Sequence, residues 1–294
     1  MYMKEYVYHD VNYRGKIERV EYATKDYSDR PITKYANVYL PYGYNAEDKE
    51  TKYNILYVMH GGGGNPDAWL DCCKIKNMLD WAILSKEIEP LIVVFPTFYK
   101  EIFERDGNRT PVNANFENEK INGFMPELSG DVMPAVESVY NVYAKSGADE
   151  DLKAAREHRA FTGFSMGGGT TWLTFLHKMD YFANFIPLSG DCWIIEPRGG
   201  ATYPVETAEA MVKHVMDKGF TKADFKVYAA TGTEDIAFAA LDPMVAELKK
   251  HTELFDYSDD YSVGNLHYFA EPGQVHAYEA VCNYLYTFLP YLFR

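Results

Sequence analysis

Two early stretches alternate apolar and polar residues, Lys16–Thr24 (KIERVEYAT) and Tyr35–Leu40 (YANVYL), and predict antiparallel strands with one solvated face. Turn residues Pro41-Tyr42-Gly43-Tyr44 follow. The pattern then changes character. Asn54–Met59 (NILYVM) and Leu91–Phe95 (LIVVF) are unbroken apolar runs, as a strand covered on both faces requires. Further strands are predicted at Arg159–Phe164, Phe182–Leu188, Phe225–Ala230 and Leu266–Ala270. Helical spacing fills the intervals at Ile75–Ser85, Leu128–Tyr143, Thr170–Met179, Glu206–Lys218, Phe238–His251 and Ala277–Leu289, although Gly130 and Pro134 blur the start of the second of these. Thr97–Asn122 is polar, aromatic and Asn-rich with no period, and predicts a long loop near the active site.

Strands alternating with helices imply an α/β fold, a mostly parallel central sheet with helices on both faces, and a site beyond the carboxyl ends of the strands. The 294 residues show no linker, repeat or low-complexity segment, so one domain is expected over 1–294, with 1–34 as an N-terminal extension carrying the first strand. A formal net charge of −14 repels phosphate backbones and anionic lipid, which argues against nucleic-acid and membrane partners. No apolar run approaches the ~20 residues of a membrane span. The first residues, MYMKEYVYHD, do not read as a signal peptide. The 25 tyrosines suit a surface that stacks on sugars or aromatic rings, and equally suit sheet packing. Cys72, Cys73, Cys192 and Cys282 lack C-x-x-C spacing; four buried free thiols are expected, with a Cys192–Cys282 disulfide as the alternative. No residue cluster suggests a metal or a cofactor.

Chemistry concentrates at two glycine-rich turns. Gly163-Phe164-Ser165-Met166-Gly167 is a G-x-S-x-G pentapeptide between a buried strand and an amphipathic helix, the setting of a nucleophile elbow. A helix-capping serine in a glycine-rich turn is the bland reading. His60-Gly61-Gly62-Gly63-Gly64 follows a buried strand and would offer the Gly62 N–H to an oxyanion, with the Met166 N–H as second donor. The rival reading, a phosphate loop, lacks the G-K-[ST] ending. A serine hydroxyl needs a base. Of the downstream histidines, His177, His214 and His251 fall in helical patterns and His267 in a strand, whereas His276 lies in a turn after the last strand. The acid is expected after a central strand. Asp235, in TGTED after FKVYAA, is preferred over Asp191, Glu234 and Asp242.

The segments MHGGGGNPDAW, AFTGFSMGGGTTW, ATGTED and GQVHAYEAV resemble the feruloyl esterase domains of carbohydrate esterase family 1, whose relatives include acetyl xylan esterases. The likeness runs from about Tyr35 to the end. It implies an α/β-hydrolase fold without a large lid, no cofactor, and hydrolysis of ferulate or p-coumarate esters on arabinoxylan. By motif it carries a triad onto Ser165, Asp235 and His276, and oxyanion donors onto Gly62 and Met166. Feruloylated arabinoxylan or its oligosaccharides are the expected partner and an extracellular location the expected setting, with a cytoplasmic one as the alternative. The segments Thr97–Asn122 and Gly199–Thr207 follow no motif of the family. Trp193, Trp69, Phe98 and Tyr99 are the candidate walls of an aromatic acyl pocket. Rival readings are an acetyl xylan esterase, a thioester or small-ester hydrolase of the S-formylglutathione type, and a non-catalytic carbohydrate-binding module.

Overall fold

The computed structural model describes residues 10–100 and 114–294. Eight strands form its sheet: β1 (Lys16–Lys25), β2 (Pro31–Leu40), β3 (Asn54–Met59), β4 (Leu91–Phe95), β5 (Arg159–Phe164), β6 (Asn184–Leu188), β7 (Lys226–Gly232) and β8 (Leu266–Glu271). Their spatial order is β1-β2-β4-β3-β5-β6-β7-β8. The β1–β2 and β2–β4 pairs are antiparallel and every later pair is parallel. Strand β2 begins earlier than its alternation suggested, at a proline tolerated because it is the first residue of the strand.

The described residues form ten α-helices: α1 (Ala68–Cys73), α2 (Ile75–Leu84), α3 (Ala114–Glu127), α4 (Met133–Glu137), α5 (Asp149–Ala154), α6 (Met166–Lys178), α7 (Gly199–Thr202), α8 (Pro204–Asp217), α9 (Phe238–Leu248) and α10 (Tyr278–Phe288). The unbroken apolar strands face two ways. Ile55, Tyr57, Met59, Ile92 and Val94 join Trp172, Phe175 and Met211 in one core, whereas Leu56, Val58, Val93 and Phe95 join Met78, Leu79, Val281 and Leu285 in the other. Successive side chains on a strand point to opposite faces, so both alternate sets must be apolar.

Two expectations are corrected. The loop foreseen over Thr97–Asn122 gives way to helix α3 from Ala114, while residues 101–113 lie outside the described residues. The helix foreseen over Leu128–Tyr143 stops at Glu137 and continues α3 through a π-turn at Leu128–Val132. Pro126 lacks the N–H that an α-helix needs at that point, and the wider turn just after it absorbs the defect.

A buried ion pair fixes the start of β5. Arg159 Nε and Nη2 donate to the two carboxylate oxygens of Glu137 at 2.7 and 2.8 Å, and Tyr57 donates to the same group at 2.7 Å. Nη1 of Arg159 reaches the carbonyls of Leu152 and Tyr181. Removing one partner of such a fully desolvated pair commonly costs about 3–5 kcal/mol. The other end of β5 carries Ser165.

Candidate active site

Ser165 occupies the turn between β5 and α6 with φ 59° and ψ −117°. An L-residue enters this region at a cost of roughly 1–3 kcal/mol, so its surroundings must hold it there. They do so through the Ser165 N–H, donated to the Leu188 carbonyl at 3.0 Å, and the Ser165 carbonyl, which accepts from Gly169 at 3.0 Å. Glycine at 167 is required by contact: a Cβ there would lie 2.6 Å from the carbonyl oxygens of both His60 and Met59. The elbow is thereby pressed against the loop that leaves β3.

His276 Nε2 lies 2.9 Å from Ser165 Oγ, and His276 Nδ1 lies 2.7 Å from Asp235 Oδ1. An ionised carboxylate only accepts, so Nδ1 carries the proton and Nε2 turns its lone pair toward the serine hydroxyl. The Ala237 N–H also donates to Asp235 Oδ1, at 2.7 Å, which fixes the carboxylate from behind. Asp235 is buried and His276 partly exposed, with its ring packed on Phe164 at 4.5 Å. The loops bearing the two groups are laced together. Thr233 N–H donates to Glu271, Glu234 N–H to Gln274, and Gly273 N–H to the Thr233 hydroxyl at 2.9 Å.

The glycine loop lies across the elbow: a Cβ on Gly61 would come within 3.4 Å of Ser165 Cβ, and one on Gly62 within 2.9 Å of Met166 Sδ. Its backbone donors are nearly all committed. Gly61 N–H donates to the Tyr278 hydroxyl at 3.0 Å, Gly63 N–H to the Tyr99 hydroxyl at 2.7 Å, and Gly64 N–H to the Gly61 carbonyl at 3.1 Å. The N–H groups of Gly62 and Met166 have no hydrogen-bond partner among the described residues. His60 braces the loop from beneath. Its Nδ1–H donates to the Gly61 carbonyl at 2.7 Å, and its Nε2 accepts from the Thr97 hydroxyl at 2.7 Å. Burial first of all, and then the Lys34 charge, depress its pKa to about 4, against the pull of the Gly61 carbonyl, so the ring is neutral.

The alternative acids lie elsewhere. Asp191 is buried and accepts from Gly200 N–H and Trp193 Nε1, not from a histidine; its carboxyl pKa is raised, chiefly by burial. Asp242 accepts from the Tyr268 hydroxyl. Glu234 is exposed. The four candidate pocket aromatics differ in burial. Trp69 is buried with its indole N–H on the Met59 carbonyl, and Phe98 and Tyr99 are buried against the His60 ring. All three side chains pack under or bond to the segment around the glycine loop. Trp193 is partly exposed and lies along the first turn of α6, its Cδ2 within 3.6 Å of where a Gly169 Cβ would stand. Cys73, Cys192 and Cys282 are buried free thiols, but Cys72 is exposed, contrary to expectation. The sequence reading missed Tyr278 and Thr97. The only signal for Tyr278 was its place two residues after His276, at the first position of α10.

Residues 31–279 match the family described as "Putative esterase". The chain belongs to this esterase family. The esterase is 42% identical over 263 residues to endo-1,4-beta-xylanase Y of Acetivibrio thermocellus, covering 89% of this chain and 22% of that protein. It superposes with a TM-score of 0.83, at 37% identity, on a mutant of the feruloyl esterase module from Clostridium thermocellum complexed with sinapinate, covering all of this chain and 93% of that one. A CE1 ferulic acid esterase from the anaerobic fungus Anaeromyces mucronatus shares the fold at 19% identity and a TM-score of 0.73, over 99% of this chain and 96% of that one. The esterase has the α/β-hydrolase fold, without a large lid among the described residues. It spans about a fifth of the length of the curated relatives it matches. No described helix is long and apolar enough to cross a membrane.

Proposed function

We propose that this esterase hydrolyses hydroxycinnamate esters, ferulate or p-coumarate, on arabinoxylan or its oligosaccharides by an acyl-enzyme route. The observation that carries the chemistry is the unbroken line from Ser165 Oγ through His276 to Asp235, with hydrogen bonds of 2.9 and 2.7 Å, at an elbow and glycine loop whose Met166 and Gly62 N–H groups are uncommitted among the described residues. His276 takes the serine proton as Oγ attacks the ester carbonyl, and Asp235 stabilises the imidazolium. The oxyanion forms between Gly62 N–H and Met166 N–H, beside the positive end of α6. The imidazolium then protonates the departing sugar hydroxyl. Water repeats the sequence and releases the acid. No step calls for a metal or a cofactor.

The acyl assignment draws its support from the 37% identical module complexed with sinapinate, itself a hydroxycinnamate, and from Trp193 beside the elbow. Xylan as the carrier, and an extracellular site of action, are inferred from the xylanase relative. A panel of methyl ferulate, methyl p-coumarate and acetylated xylan tests the reading. Preference for the two aromatic esters upholds it. Deacetylation of xylan without turnover of methyl ferulate would make the protein an acetyl xylan esterase.

A further inference from the structure

We infer that Tyr278 and Tyr99 are positioning residues of the oxyanion site, a pair of clamps that holds the glycine loop so that Gly62 alone presents its N–H to the substrate. The inference rests on the esterase reading above and adds to it the means by which the loop is set. The loop could adopt many conformations, because consecutive glycines are the least restricted backbone a chain contains. An oxyanion site works only if its donors are aimed before charge develops. Something must therefore remove that freedom without filling the site.

The hydrogen bonds name what does so. The N–H before Gly62 ends on the Tyr278 hydroxyl at 3.0 Å, and the N–H after it ends on the Tyr99 hydroxyl at 2.7 Å. The Gly61 carbonyl is held twice, by His60 Nδ1–H and Gly64 N–H. Both phenol rings are anchored in their turn. Tyr278 packs on Phe164 at 4.7 Å and on Trp69 at 5.5 Å, and Tyr99 on His60 at 5.5 Å and Phe98 at 4.6 Å. Phe164 also carries the His276 ring at 4.5 Å, so Tyr278 ties the oxyanion loop to the base-bearing segment it follows by two residues. Neither hydroxyl is assigned any contact with the reacting atoms.

Tyr278→Phe and Tyr99→Phe keep each ring and remove one acceptor, which tests the clamp without opening a cavity. On methyl ferulate we expect kcat to fall about tenfold for each, less than the ~100-fold or more that follows outright loss of an oxyanion donor, with KM little changed. An arylboronic acid, whose tetrahedral serine adduct uses the oxyanion site, should lose affinity by the same factor. Ferulate itself, which binds without forming a tetrahedral centre, should keep its affinity. A role confined to packing would weaken ferulate and the boronic acid together, and that result, or unchanged kcat in both variants, overturns the proposal. Failure of the underlying reading looks different: wild type would then be inert to methyl ferulate, or Ser165→Ala would remain active. If wild type prefers another ester, the same two ratios are read on that ester.

Discussion

Gly232 and Gln274 are in contact at the point where the acid and base loops meet, and a Cβ on Gly232 would fall 2.5 Å from the Gln274 carbonyl carbon. The 2.7 Å bond between Asp235 and His276 depends on that closeness. Gly232→Ala should separate the two loops, lowering kcat by about tenfold or more and the unfolding midpoint by several degrees, since an overpacked contact costs about 1–3 kcal/mol. Thermal melts and methyl ferulate kinetics on the purified variant check this. Wild-type values for both would mean that the loops accommodate the methyl group.

Ser165→Ala should leave the fold intact and reduce kcat by roughly 10⁴–10⁶-fold. Asp235→Asn should reduce it by roughly 10³–10⁴-fold through loss of the imidazole's orientation. Asp191→Asn should act mainly on stability, because its carboxylate holds Gly200 and Trp193. Kinetics together with urea unfolding of the three variants separate these roles. The opposite ranking of the two aspartates would move the acid to the end of β6.

Trp193 is the candidate pocket aromatic with an accessible face, so Trp193→Ala is expected to depress turnover of methyl ferulate far more than of 4-nitrophenyl acetate. Burial of a ring contributes a few kcal/mol at ~25 cal/mol per Å², and an acetyl group offers little of that area. Equal losses on both esters would make Trp193 a packing residue only.

Stability should fall on acidification in a way traceable to His60. Its pKa in the fold, about 4, lies below its ordinary value of 6.5, so the unfolded chain binds the extra proton first. The stabilising effect of holding the ring neutral is complete above pH 6.5 and is lost as the pH falls toward 4. It amounts to about 3 kcal/mol by linkage. His177, with its pKa depressed to about 4, chiefly by burial, adds a slope of the same sign. Urea unfolding of wild type and His60→Asn from pH 7.5 to 4 should show a stability gap that narrows with acid. A constant gap would assign the loss to other groups.

The parts of the molecule that could be read in sequence share a physical cause. Strands β3 and β4 fall where their apolar runs start and stop, because a strand buried on both faces leaves little polar sequence to blur its ends. Ser165, His276 and Asp235, which the fold brings within hydrogen-bond reach of one another, stood out as candidates because each lies in a turn after a strand. Aromatic side chains gave no such guidance. Phe98, Tyr99 and Trp193 follow strands and Trp69 lies in α1, and nothing in their identity says which is turned inward. Helix α3 was hidden for a related reason: the Asn-rich, polar stretch over its first residues carries little helical pattern, and Pro126 lies near its end.

The partners that make the site are far apart along the chain, Ser165 and His276 by 111 positions and Gly61 and Tyr278 by 217. During synthesis, a ribosome-bound chain that has already emerged through α9 holds a complete elbow and glycine loop but neither the base nor one of the loop's two anchors. Non-local closures of this kind come late in folding. On the proposed mechanism, a chain halted before β8 and α10 is therefore expected to be unable to hydrolyse esters.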